Sequence, residues 1–136
     1  MNWTLEVVVV PVSDVDRSVE FYKKLGFNVD HNTKTSDGVH FVQLTPPGSG
    51  CSIVIGTGMS KMVPGSLEGL QLVVNDVRAA RAELVERGVE VGEVMVFGPD
   101  GPVPSKGDED LNNVGFIFLS DPDGNSWAVQ QITSRP

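Results

Sequence analysis

Val12-Ser13-Asp14-Val15-Asp16-Arg17-Ser18-Val19-Glu20-Phe21-Tyr22-Lys23-Lys24-Leu25-Gly26-Phe27 reads as one helix, Val15–Leu25, between its own start and stop signals. Ser13 opens a segment that resembles a capping box, with Asp16 where Glu or Gln is usual. Val15, Val19, Tyr22 and Leu25 recur at helical spacing and form one apolar face. Asp14 and Asp16 favour the positive end of the helix dipole, and Lys23 and Lys24 the negative end. Gly26 is the expected stop. Upstream, Leu5–Val12 holds four consecutive Val and reads as a strand, because β-branched residues are stiff at χ1. No polar residue alternates with them, which predicts burial on both faces. Downstream, Phe27–Val29, Val39–Leu44 and Ser52–Ile55 read as strands, with a turn at 32–38, a Pro/Gly connection at 45–50 and a linker at 56–68.

The same order then begins again. Gly69–Val74 is a strand, Asn75-Asp76 a cap, Val77–Arg87 a helix, Gly88 its stop and Val89-Glu90-Val91 a strand. Asp14 matches Asp76 and Gly26 matches Gly88, both at a separation of 62. Phe116–Leu119 and Ser126–Val129 mirror the third and fourth strands at a separation near 75, so the second half holds about 12 extra residues. Gly98–Asn113, rich in Gly, Pro and acids, is their natural place and reads as an exposed loop. The unit is βαβββ used twice, at 5–56 and 69–132 within a single 1–136 domain. The fold class is α+β: two modules related by a pseudo-two-fold can share one core.

Composition bounds the function. The length of 136 residues is near the commonest size of one domain. The net charge of −8 repels phosphate backbones and acidic lipid, which argues against nucleic acid and membrane partners. The longest apolar run, Val7–Val12, is far short of the ~20 residues of a spanning helix. The N-terminus has no basic region followed by an apolar core, so a cytoplasmic protein is expected. One Cys, Cys51, excludes an intrachain disulfide, and only His31 and His40 supply imidazole.

The paired βαβββ pattern, the 12–27 segment and Asp-Pro-Asp-Gly-Asn at 121–125 together resemble the vicinal oxygen chelate superfamily, which includes glyoxalase I, bleomycin-resistance proteins and extradiol dioxygenases. The resemblance covers nearly the whole chain. It implies a cupped eight-stranded mixed sheet with helices outside, a small-molecule ligand on the concave side, and a homodimer. Metal-dependent members place one ligand on the first and one on the last strand of each half. Those positions fall here on Val7, Val54, Gly69 and Ala128, whose side chains donate nothing to a metal. The expectation is therefore a binding protein with no metal and no other cofactor, resembling the bleomycin-resistance branch. The alternative is a lyase, isomerase or oxygenase of the same superfamily, with or without a protein-bound metal. No catalytic residue is assigned.

Strand parity extends the candidate set. Val9 shares a face with Val7, Ser52 with Val54, Gln71 and Val73 with Gly69, and Ser126 and Gln130 with Ala128. The candidate ligand-binding residues are Val7, Val9, His40, Ser52, Val54, Gln71, Ser126, Ala128 and Gln130. His40 is read either as a base or hydrogen-bond donor near the cavity or as a strand-end residue in solvent, and His31 as a surface residue. Gln71 and Gln130 either orient a ligand or pair with each other or the backbone. Phe116 and Phe118 share a face that the sequence leaves open. Tyr22 and Trp127 are read as core, Cys51 as a plain small buried residue, and the 121–125 acids as structural. Asp108-Glu109-Asp110 is a solvated run or a guard of the pocket mouth.

Overall fold

A computed structural model describes residues 1–134 of the chain. The chain divides into two compact units, Met1–Leu67 with Asp121–Asn125, and Glu68–Ser120 with the segment from Ser126 on.

The first unit runs β1 (Val7–Val9), α1 (Val15–Lys24), β2 (Asn28–Lys34), β3 (His40–Thr45) and β4 (Ser52–Gly56). Its sheet has the order β1-β4-β3-β2, with β1 parallel to β4 and the other neighbours antiparallel. The expected Leu5–Val12 strand is cut to three residues. Its ladder ends where Val10 N–H bonds Val54 O at 3.0 Å, because Pro11 has no N–H to continue it. Burial on both faces does not hold either, since Val7 is 38% exposed. β2 continues through Lys34, past the turn expected at 32. The chain reverses instead at Thr35, whose Oγ1 accepts from Val39 N–H. Cys51, expected to be buried, precedes β4 and is only half-buried.

α1 is capped by Asp14, not Ser13: its carboxylate accepts from Arg17 N–H at 3.1 Å. Ser13 is instead engaged by Asp123 of the 121–125 turn. The helix buries Ser18, Val19 and Tyr22 over Val42, Leu44, Ile53 and Ile55 of the sheet. It stops at Gly26, whose φ of 98° suits only glycine. Phe27 N–H reaches back to Tyr22 O at 3.0 Å, and the two rings lie 5.5 Å apart, which completes a Schellman stop.

The second unit runs β5 (Leu70–Val74), α2 (Val77–Glu86), β6 (Met95–Gly98), β7 (Gly101–Pro104), β8 (Gly115–Ser120) and β9 (Ser126–Gln131). The order is β5-β9-β8-β6-β7, again with the first strand parallel to the last. α2 repeats the device of α1, with Asp76 as cap and a Val89 N–H to Leu84 O bond at 2.9 Å as stop. It covers Ile117, Leu119, Trp127 and Val129, all buried.

Two expectations change here. Val89-Glu90-Val91 is not a strand, and the ladder begins only at Met95. Val89 is instead taken up in the helix stop, and just one N–H of the next residues, that of Gly92, reaches β8, at Phe118 O. The 98–113 stretch is not all loop: Gly98 opposes Gly101 in a tight hairpin, with Pro99 preset for the turn. β7 is the result, and among the described residues it raises the strand count from eight to nine, in two sheets of four and five strands. The register locates the extra residues. Thr33 opposes Phe41 and Met95 opposes Phe116, which are separations of 62 and 75 between matching positions. The insertion therefore lies between β6 and β8, where β7 forms. Among the described residues no helix is long and apolar enough to cross a membrane.

Candidate functional site

Each sheet has one face under its helix and one opposite. In the second unit Ile117, Leu119, Trp127 and Val129 point to α2, so the alternate residues of β8 and β9 point away. The register aligns Gln71, Ala128 and Phe118 across three strands, and Val73, Gln130 and Phe116 beside them. Phe116 and Phe118 thus share the face of the candidate residues. Their rings are nearly parallel, at 4° and 6.0 Å. Phe97 of β6 joins them edge-on, 4.8 Å from Phe116 and 6.3 Å from Phe118. Phe97 and Phe118 are each 40% exposed and Val73 45%, an unusual investment of apolar surface in water. Beside them Gln71 Nε2 donates to Gln130 Oε1, and Gln130 Nε2 donates to Asn113 O at 2.8 Å. The two amides are therefore held in place, each with hydrogen-bonding capacity left over. A half-open cavity of about 340 Å³ is lined here by Gly69, Gln71, Phe118, Ser120, Ser126 and Ala128 among others. A Cβ on Gly69 would meet no atom within 4 Å, so that position leaves the space open.

In the first unit Val42, Leu44, Ile53 and Ile55 point to α1, and Val7, Val9, Gln43, Thr45, Ser52 and Val54 point away. Val7 opposes Ser52, and Val54 lies between Val9 and Gln43. Ser52 and Val54 are buried, and Ser52 Oγ lies 2.6 Å from Thr45 Oγ1, which donates to Asp30. Val9 lines a smaller cavity of about 190 Å³ with Gly56, Met59 and Met62.

His40 is not on this face. It has the parity of Val42 and Leu44, and its ring Nε2 is 2.7 Å from Asn32 Oδ1. The histidine that shares the face of Gln43 is His31, its direct partner across the ladder. A bulge between Val29 and His31 shifts the parity of β2, and nothing in the sequence marks that bulge. Phe97 lies outside the strand expected at Val89–Val91, because the ladder begins only at Met95.

The acidic run lines neither of the two cavities described above. Glu109 turns into its own loop, where Lys106 N–H, Gly107 N–H and Ser105 Oγ donate to it and Arg78 stands at 3.3 Å. The backbone and hydroxyl donors, Lys106 N–H first, hold its carboxyl down to about 2.

The profile of one family matches residues 4–129 of the chain. The chain belongs to the Glyoxalase/Bleomycin resistance protein/Dioxygenase superfamily. Solved members of similar structure include TnmS3, an antibiotic binding protein from Streptomyces sp. CB03234, at 32% identity and a TM-score of 0.73 over 96% of this chain and 97% of that one. A glyoxalase/bleomycin resistance protein from the same organism is 32% identical, with a TM-score of 0.70 over 94% of this chain and all of the other. An uncharacterised protein of Mycolicibacterium smegmatis is 27% identical over 70% of this chain and 72% of its own length.

Metal-dependent members of the superfamily require donors that these residues do not supply. Val7, Val54 and Ala128 are aliphatic and Gly69 has no side chain. Among the described residues no group of three or more His, Cys, Asp or Glu is placed to hold a metal ion. The residues present do not fit the metal of those superfamily members.

Proposed function

We propose that this superfamily member is a metal-independent binding protein that holds a small, planar, partly apolar ligand against the aromatic face of the second unit. The observation that carries this reading is the exposed Phe97–Phe116–Phe118 cluster beside the fixed Gln71–Gln130 pair. Two parallel rings and one edge-on ring present π surface to a flat molecule, and each aromatic contact is worth about 0.5–1.5 kcal/mol beyond area burial. The amides supply the few polar groups that orient a ligand in an apolar pocket. The similarity to an antibiotic binding protein supports the same reading, and the flat aromatic face makes polycyclic antibiotics the first compounds to try.

Titration of the protein with polycyclic aromatic antibiotics, read by fluorescence, tests it. Saturable binding is expected, unchanged after dialysis against a chelator. Phe118→Ala should weaken it about 3–10-fold, the loss of one aromatic contact. Stoichiometric transition metal in protein purified without chelator, or binding lost on chelation, would overturn metal independence. No binding across the panel would overturn the ligand class. We also propose that the protein works as a homodimer, a reading supported by the apolar Met1, Trp3 and Leu5, which are 100%, 86% and 68% exposed.

A further inference from the structure

The first unit carries a polar cluster that the aromatic face does not use. In β2 Val29 opposes Leu44 and His31 opposes Gln43, so Asp30 is an extra residue with no partner across the ladder. Such a bulge re-aims the side chains that follow it. Val29 stays on the helix side with Leu44, while His31 takes the opposite side with Gln43. Asp30 accepts from Thr45 Oγ1, and Thr45 shares a hydrogen bond with Ser52. Asp30, His31, Gln43, Thr45 and Ser52 therefore gather on the face opposite α1.

Three of the five satisfy one another. The other two do not: among the described residues neither the His31 ring nor the Gln43 amide has a hydrogen-bond partner. They nonetheless stand directly opposite across an antiparallel pair, with Cβ atoms about 4.5–5.5 Å apart. The glutamines of the second unit differ, since Gln71 is bonded to Gln130. A free amide and a free imidazole on directly opposed residues offer at least two donors and two acceptors.

We infer that His31 and Gln43 form a hydrogen-bonding subsite on the first unit for a neutral group that both donates and accepts, a carboxamide or a phenolic hydroxyl. Asp30 in the same cluster and the net charge of −8 disfavour a carboxylate or phosphate there. The subsite goes beyond the proposed aromatic face and is independent of it.

The chain has only two histidines, so proton NMR reads both ring Cε1–H signals in the intact protein, assigned with His31→Ala and His40→Ala. The probe is salicylamide at millimolar concentration, with benzoate as the anionic control. A saturable shift of the His31 signal by salicylamide is expected, with little response to benzoate and none at His40, which is bonded to Asn32. Gln43→Ala should weaken that response about fivefold, the loss of one neutral hydrogen bond. Phe118→Ala should leave it unchanged, so failure of the aromatic face is read separately. A His31 signal that does not move, moves equally with benzoate, or keeps its response in Gln43→Ala would overturn the subsite.

Discussion

Asp121 accepts five hydrogen bonds. Its Oδ1 takes the backbone N–H groups of Asp123, Gly124 and Asn125, and its Oδ2 takes Tyr22 Oη at 2.8 Å and Asn125 Nδ2 at 2.7 Å. Asn125 is fully buried, and also donates to Pro11 O and accepts from Leu67 N–H. Tyr22→Phe removes one donor and should cost about 1 kcal/mol in urea unfolding. Asp121→Ala strands several donors in a dry site at about 1–3 kcal/mol each, so its loss should be several times larger. Equal losses would mean that solvent reaches the stranded groups. Gly65 is bound to the same turn: its φ is +83°, and a Cβ there would lie 1.9 Å from Asp123 O. Gly65→Ala should therefore destabilise by an amount comparable to Asp121→Ala, measured in the same way. The structural reading of Asp-Pro-Asp-Gly-Asn was legible, because Pro122 and Gly124 specify a turn by themselves. Its partners were not, since Tyr22 lies 99 residues from Asp121. The face that His31 takes was not legible for the same kind of reason. The side on which a strand residue points depends on every register shift before it, and the bulge at Asp30 has no local signature.

The helices were legible nearly to the residue, because caps, dipole-matched charges and stop glycines act within one turn of chain. Strands were less so, since a strand is conferred by its neighbour. Gly101-Pro102-Val103-Pro104 has the composition of a loop and becomes β7 only because β6 lies beside it. The segment that follows owes its order to Glu109. The folded-state carboxyl sits near 2 against an ordinary value near 4.5. The order it lends is thus complete above about 4.5 and drains away as the pH falls toward 2. Amide exchange at Lys106 and Gly107, whose N–H groups bond Glu109, should accelerate relative to α2 across that interval. Glu109→Gln should show the faster exchange already at neutral pH. Identical exchange in the variant would assign the loop's order to Arg78–Ser105 alone.

At the scale of the molecule the proposed dimer sets apolar association against a net charge of −8. Two copies repel, and salt screens that repulsion. Light scattering should therefore show dimerisation strengthening with ionic strength, and Trp3→Ser with Leu5→Ser should leave a monomer at every salt concentration. A dimer that persists in this double variant would place the interface elsewhere. The prolines of β7 bear on association of another kind. Phe97 N–H is given to Val114 O on the β8 side, so Phe97 and its partner Pro102 form a non-bonded pair of the β6–β7 ladder. Pro102 and Pro104 accordingly aim their nitrogens at open solvent, where a further strand would have to dock. The rim of the five-stranded sheet is mute there: it offers a newcomer carbonyls but no hydrogen to share, so the sheet cannot be lengthened into a fibril from that side.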